Sequence, residues 1–127
     1  MGTQTQTEET ARWRQTRGAS GLIAEELAAD AAARVCRLVA TVEPVWRSQQ
    51  DQAIRAAARM PLALAEGAGR TGRDRRHLYR IGYGTARETS AVVTLLVHIG
   101  AVDATEGAAV LALLDRVQAL TWRLCQT

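Results

Sequence analysis

The sequence contains no lysine and no phenylalanine, and it has only two cysteines, two histidines and two prolines. The absence of lysine excludes a phosphate-binding loop of the Gly-Lys-Ser/Thr type. Apart from the histidines, every basic side chain is an arginine, whose planar guanidinium can bind phosphate through two hydrogen bonds. Cys36 and Cys125 lack the spacing of a metal site or a redox motif, which favours reduced thiols over a disulfide.

Long apolar stretches are missing as well. The longest uncharged run, residues 89–102, is shorter than the roughly 20 residues of a membrane-spanning helix. The N-terminal residues contain neither the basic nor the apolar segment of a signal peptide. We therefore expect a single cytoplasmic domain without membrane contact, and 127 residues are enough for a hydrophobic core.

The sequence does contain abundant alanine and an uneven distribution of charge. The net charge of the whole chain is +3. Residues 47–87 contain nine arginines and three acids, which gives this section a net charge of +6. Thin alanine side chains favour closely packed helices, and the basic section is the first place to look for an acidic partner.

Four amphipathic segments follow a polar stretch at residues 1–19, which we expect to be a flexible tail. Pro44 ends the first segment, Ser48 is a suitable N-cap for the second, and Gly100 ends the third. Asp103 caps the fourth segment. The predicted helices span residues 20–41, 48–66, 71–99 and 104–124.

Apolar residues recur at three- and four-residue steps in each segment, as on the inner face of a packed helix. On the second segment the expected inner face consists of Ile54, Ala57, Ala58, Pro61 and Ala65. No segment alternates like a β-strand, and short loops between helices make neighbours antiparallel. The sequence predicts an all-α, antiparallel up-down-up-down four-helix bundle over residues 20–127, with its second helix kinked at Pro61.

Residues 67–72, Gly-Ala-Gly-Arg-Thr-Gly, spell GxGxxG. A dinucleotide-binding site needs a strand before this motif and a helix after it. The residues before Gly67 are helix-forming, so we interpret the glycines as a helix stop and a tight turn. In this interpretation Gly67 adopts the left-handed conformation, and Thr71 caps the next helix in a capping-box pattern with Asp74.

Two stretches carry a family resemblance. Residues 52–70, QAIRAAARMPLALAEGAGR, and residues 78–88, LYRIGYGTARE, resemble signatures of the four-helix-bundle proteins encoded in intervening sequences of bacterial 23S ribosomal RNA genes. The resemblance extends over about residues 22–124. It implies a structural motif that contains Arg55, Pro61, Glu66, Gly67, Gly69 and Glu88.

The resemblance also implies an assembly and its partners. The related accessory protein of diversity-generating retroelements, Avd, is a five-fold barrel that works with a reverse transcriptase and its RNA. A homo-oligomer, most simply a pentamer, is therefore expected, with Trp46 and Trp122 as candidates for the surface between subunits. RNA, DNA, a reverse transcriptase or another enzyme encoded nearby are the candidate partners.

The best functional lead is the arginine cluster at the start of the third helix. Arg73, Arg76 and Arg80 share one helical face, and a helix N-terminus favours the same anions as the guanidinium groups do. Aromatic rings beside them could stack on bases. The predicted nucleic-acid-binding residues are Arg70, Arg73, Arg75, Arg76, Arg80, Tyr79 and Tyr83. The alternative is a solvated basic face, or one that is paired with acids of another subunit.

Glu66 and Glu88 could form a catalytic pair of carboxylates, but structural pairing with arginines such as Arg55 or Arg87, buried or between subunits, explains them more simply. A carboxylate at a helix C-terminus, such as that of Glu66, is opposed by the helix dipole and needs a partner.

The other reactive side chains give no better case for an enzyme. His77 and His98 have no ligand partners at metal spacing, and no Ser-His-Asp group can be proposed from them. We therefore expect no metal, no cofactor and no enzymatic activity. The sequence favours an oligomeric basic scaffold that binds nucleic acid or a ribonucleoprotein. The alternative is a protein-interaction module or accessory subunit.

Overall fold

The computed structural model describes residues 23–126, which form four α-helices and no strand. The helices are α1 (Ile23–Val39), α2 (Arg47–Ala68), α3 (Gly72–His98) and α4 (Ala104–Cys125), and a 3₁₀ turn at Pro44–Trp46 leads into α2. The predicted all-α four-helix bundle is confirmed. The predicted tail at residues 1–19 lies outside the described residues.

Each helix packs against two neighbours. Contacts join α1 to α2, α2 to α3, α3 to α4 and α4 to α1, and they are most extensive between α2 and α3. The short connections make successive helices antiparallel. The turn between α2 and α3 therefore lies at the same end of the bundle as the last turn of α4.

The core consists mainly of small side chains, which favour close packing of the helices. Alanines of α1 and α2 pack beside valines of α1, α3 and α4. The larger side chains of the core are those of one methionine and a few leucines. The largest fully buried apolar side chains are Met60, Leu64, Leu96 and Leu114, together with Val35, Val39, Val93, Val110 and Val117.

The predicted inner face of α2 is correct at Ala57 and wrong at Ile54 and Ala58, while Pro61 and Ala65 are half-buried. Ile54 is 36% exposed and Ala58 is also exposed, whereas the buried stripe runs through Ala53, Ala57, Met60 and Leu64. Because α2 carries apolar residues on two sides, periodicity alone does not select the one that packs. The stripe with the two larger side chains fills the core, and the other is left at the surface.

The ends of the helices follow the sequence rules only in part. Ser48 is not the N-cap of α2, because the 3₁₀ turn begun by Pro44 runs directly into the helix and places Trp46 at the cap position. Asp103 does cap α4, since its Oδ2 accepts a hydrogen bond from the Glu106 N–H at 2.9 Å. The helix α2 continues through Pro61, as predicted, and its bend at that residue remains a prediction.

No helix within residues 23–126 is both long enough and apolar enough to cross a lipid bilayer.

Candidate nucleic-acid interface

The GxGxxG segment joins two helices. Gly67 lies inside α2, Gly69 is its C-cap with φ −85°, and α3 begins at Gly72. The motif therefore has a helix on each side, not the strand that a dinucleotide site needs. Of its three glycines only Gly72, with φ 56°, has the left-handed backbone, so the prediction that Gly67 adopts it is wrong.

Position 67 has room for a glycine but not for a larger residue. A Cβ built at Gly67 would lie 2.9 Å from Cδ1 and Cε1 of the Tyr79 ring and 3.1 Å from Leu78 Cβ. The glycine thus lets α3 approach α2 and seats the ring of Tyr79, which is only 4% exposed. This burial contradicts the prediction that Tyr79 stacks on a base. Tyr79 is a core residue.

Two of the predicted arginines are held by contacts within the chain. The Nε of Arg75 donates to Arg70 O at 2.7 Å, and its Nη2 donates to Ala68 O at 3.3 Å. Arg75 therefore satisfies carbonyls at and just beyond the end of α2, where backbone acceptors lack partners within the helix. Arg70 forms an exposed ion pair with Glu66 Oε1 at 3.4 Å. The structure thus assigns Arg75 to the turn rather than to a ligand.

Three arginines remain available, and we refer to Arg73, Arg76 and Arg80 as the arginine row. All three are exposed on α3, and within residues 23–126 none of them has an ion-pair partner. Their spacing of three and four residues places them on one face of the helix. This arrangement agrees with the predicted basic face at the start of α3.

Farther along α3, aromatic and basic side chains form a cluster with α4. The rings of Tyr83 and Trp122 lie 5.5 Å apart between centroids, with an angle of 53° between their planes. The guanidinium carbon of Arg87 is 5.8 Å from the centroid of the Tyr83 ring, and Arg87 Nη1 donates to Tyr83 Oη at 3.1 Å. Tyr83, unlike Tyr79, reaches the surface.

Glu66 pairs with an arginine, as predicted, but not with Arg55 or Arg87. Its partner is Arg70, one helical turn farther along, and the pair is exposed rather than buried. Glu88 lines a cavity of about 390 Å³ together with Arg55 and Arg59. The two glutamates do not share one site, so they do not form the geometry of a two-carboxylate catalyst.

The remaining reactive groups do not converge on a chemical site. Among residues 23–126 no three His, Cys, Asp or Glu side chains lie close enough to hold a metal ion. Burial raises the pKa of the Cys125 thiol, and the positive charge of Arg80 only partly offsets this effect. A raised pKa leaves less thiolate at neutral pH, which is the opposite of an activated nucleophile.

The two tryptophans predicted for a surface between subunits differ in their surroundings. Trp46 packs against the core of its own chain, so its position gives no support to that prediction. Trp122 is 54% exposed. Sequence reasoning missed the contact of Trp122 with Tyr83, because these residues lie 39 positions apart in the chain. The only available signal was their position on the flanks of two helices expected to be neighbours.

A scan against models of known protein families and a search of curated proteins found no match to this chain. The resemblance to the 23S ribosomal intervening-sequence proteins therefore rests on the two quoted stretches, and it remains a prediction. The close contact between Gly67 and Tyr79 gives a physical reason for one residue of each stretch.

Proposed function

We propose that this protein is a non-enzymatic, oligomeric helical bundle that binds the sugar-phosphate backbone of RNA or DNA through the arginine row. The observation that supports this function best is the exposure of Arg73, Arg76 and Arg80 on one face of α3, without an acidic partner within residues 23–126. Phosphate oxygens are the natural acceptors for such a set of guanidinium groups.

The spacing of the row suits an extended polyanion. An α-helix rises 1.5 Å per residue, so Arg73 and Arg80 are separated by about 10 Å along the axis. Extended arginine side chains at the two ends of such a row suit successive phosphates of a strand better than one small anion. Binding of this kind depends on charge and shows little preference for base sequence.

The surface of α2 supports assembly. Ile54 and Leu62 are 36% and 67% exposed, and both lie outside the buried stripe of the helix. Burial of this second apolar stripe against another copy would remove it from water and favour an oligomer. In a ring, which the family resemblance suggests would be a pentamer, several arginine rows would act together and raise the apparent affinity.

The same stripe supports a second candidate function. A reverse transcriptase or another protein could cover Ile54 and Leu62 in place of a second copy, which would make this chain an accessory subunit. Light scattering distinguishes the two. A stable oligomer at micromolar concentration supports self-assembly, and a monomer contradicts it and favours the accessory subunit.

The test of nucleic-acid binding replaces Arg73, Arg76 and Arg80 together with glutamine. Glutamine removes the charge but preserves helix propensity. We expect weaker binding at low salt, and a log–log salt dependence that is shallower by about 2–3 units, since each phosphate contributes about 0.9 on duplex and 0.7 on single strands. Fluorescence anisotropy over a salt series measures both quantities.

The matched control replaces three exposed arginines outside the row, Arg37, Arg47 and Arg116, with glutamine. It changes the net charge by the same amount, so it corrects for the general field of the protein. Equal weakening by the two triple variants would contradict the arginine row as the site. Absence of binding by the parent at low salt would contradict the function itself.

A further inference from the structure

We propose that the groove between α3 and α4 at Tyr83 and Trp122 is a stacking site for an unpaired nucleobase, so that this protein prefers single-stranded nucleic acid. This inference rests on the proposed binding of phosphates by the arginine row. The groove has a volume of about 330 Å³ and is lined by Tyr83, Gln118, Ala119 and Trp122. That volume lies at the small end of the range for ligand sites, as a single base requires.

The two rings are arranged so that they can accept a third. Their centroid separation of 5.5 Å is within the range of a favourable aromatic pair, but the angle of 53° means that they are not stacked face to face. Neither ring therefore covers the face of the other completely. Trp122 is 54% exposed, which leaves a large apolar surface for a base to cover.

Positive charge lies at both ends of the groove. Arg87 is held over Tyr83 by its hydrogen bond to the phenol oxygen, which fixes both side chains. Arg80 is near enough to Cys125, one helical turn beyond Trp122, for its charge to act on the thiol. Phosphates on either side of a stacked base would thus each meet an arginine, and Arg80 links the groove to the arginine row.

The charge of the surroundings favours a nucleotide over an apolar protein segment. A base attached to its phosphates brings both a flat ring and negative charge, and the groove offers aromatic rings beside Arg80 and Arg87. The floor of the groove is ordered by a hydrogen bond from Gln118 Nε2 to Ser90 Oγ at 2.8 Å. A second copy of this chain, which would bring arginines of its own, is the less complementary occupant.

The test compares three probes with the same kind of backbone charge: an oligothymidylate of about 20 nucleotides, an abasic strand of equal length and a duplex. The variant is Trp122→Leu, and Trp122→Phe is its aromatic control. We expect Trp122→Leu to weaken binding of the oligothymidylate by about 5- to 150-fold, which is the value of one stacked base. Binding of the abasic strand and of the duplex should be unchanged, and Trp122→Phe should retain most of the affinity for oligothymidylate.

The outcomes separate this inference from the function on which it rests. If the parent binds none of the three probes at low salt, both fail. If it binds all three equally well and Trp122→Leu weakens none of them selectively, the backbone function stands and the stacking site is wrong. If Trp122→Leu instead dissociates the oligomer in light scattering, with no selective loss for oligothymidylate, the groove is a contact between copies and the inference is overturned.

Discussion

The two turns that flank α3 satisfy the backbone hydrogen-bonding groups at the helix ends in different ways. At the turn between α3 and α4, Gly100 has φ 73°, its N–H donates to Val97 O at 3.0 Å, and the Ala101 N–H donates to Leu96 O at 2.9 Å. This pattern is a Schellman motif. Asp103 then caps α4 through the Glu106 N–H. Every contact joins residues within a few positions.

The turn between α2 and α3 depends on a side chain of the next helix. Its carbonyls at Ala68 and Arg70 accept hydrogen bonds from Arg75, which belongs to the following helix. Thr71 occupies the N-cap position, but its side chain makes no capping hydrogen bond. The last glycine within α2, Gly67, serves the packing of Tyr79 rather than the turn.

The comparison of the two turns shows that composition alone does not decide whether a cluster of basic residues binds a ligand. The turn between α3 and α4 needs no arginine, because backbone groups and Asp103 satisfy its polar groups. The turn between α2 and α3 uses the guanidinium group of Arg75 as a hydrogen-bond donor. The arginine cluster therefore offers a ligand fewer guanidinium groups than it contains. Substitutions at the two turns can test this comparison directly.

The largest effect is expected from Gly67→Ala. The new methyl group would press against the Tyr79 ring and Leu78 Cβ, and overpacking of this kind costs about 1–3 kcal/mol of unfolding free energy. Gly84→Ala is the matched control, because it has nothing within 4 Å of its Cβ. The control should gain about 0.8–1.0 kcal/mol from helix propensity. Urea unfolding followed by circular dichroism, at one protein concentration, measures both, and equal gains would refute the close contact.

A smaller effect is expected when the caps of α3 and α4 are compared. Asp103→Ala removes the hydrogen bond to Glu106 N–H and should cost about 1 kcal/mol. Thr71→Ala removes no capping bond and should change stability by less than about 0.5 kcal/mol. The same urea titration applies, and equal losses for the two variants would show that Thr71 caps α3 in solution.

The smallest effect on stability is expected from Arg75→Gln. Loss of its bonds to the two carbonyls should cost about 0.5–1 kcal/mol. Arg73→Gln, which breaks no hydrogen bond within residues 23–126, should leave the unfolding free energy nearly unchanged. In nucleic-acid binding Arg73→Gln should have the larger effect of the two variants. Only this substitution is expected to make the log–log salt dependence shallower, by about 0.7–0.9 units. If Arg75→Gln had the larger effect on binding as well as on stability, Arg75 would also contact phosphate.

Much of the fold could be predicted because its signals are local. The helices appear within a few residues of their predicted positions, and Gly100 and Asp103 act as predicted. The inner face of α2 could not be predicted, since alanines occupy two sides of that helix. Only the neighbouring helices decide which of these sides is buried.

The candidate site divides in the same way. Exposure of the arginine row follows from helical periodicity, which places Arg73, Arg76 and Arg80 away from the core. The fates of Tyr79 and Tyr83 do not follow from it. They are one helical turn apart on α3, yet one packs on Gly67 of α2 and the other on Trp122 of α4.

The helices, their order, the turn at Gly100 and the density of positive charge all follow from residues that lie close together in the chain. Only the packing of the helices against one another selects which apolar stripe of α2 is buried and which tyrosine reaches the surface. Burial depends on atoms that the neighbouring helices supply. Periodicity within one helix carries no information about those atoms.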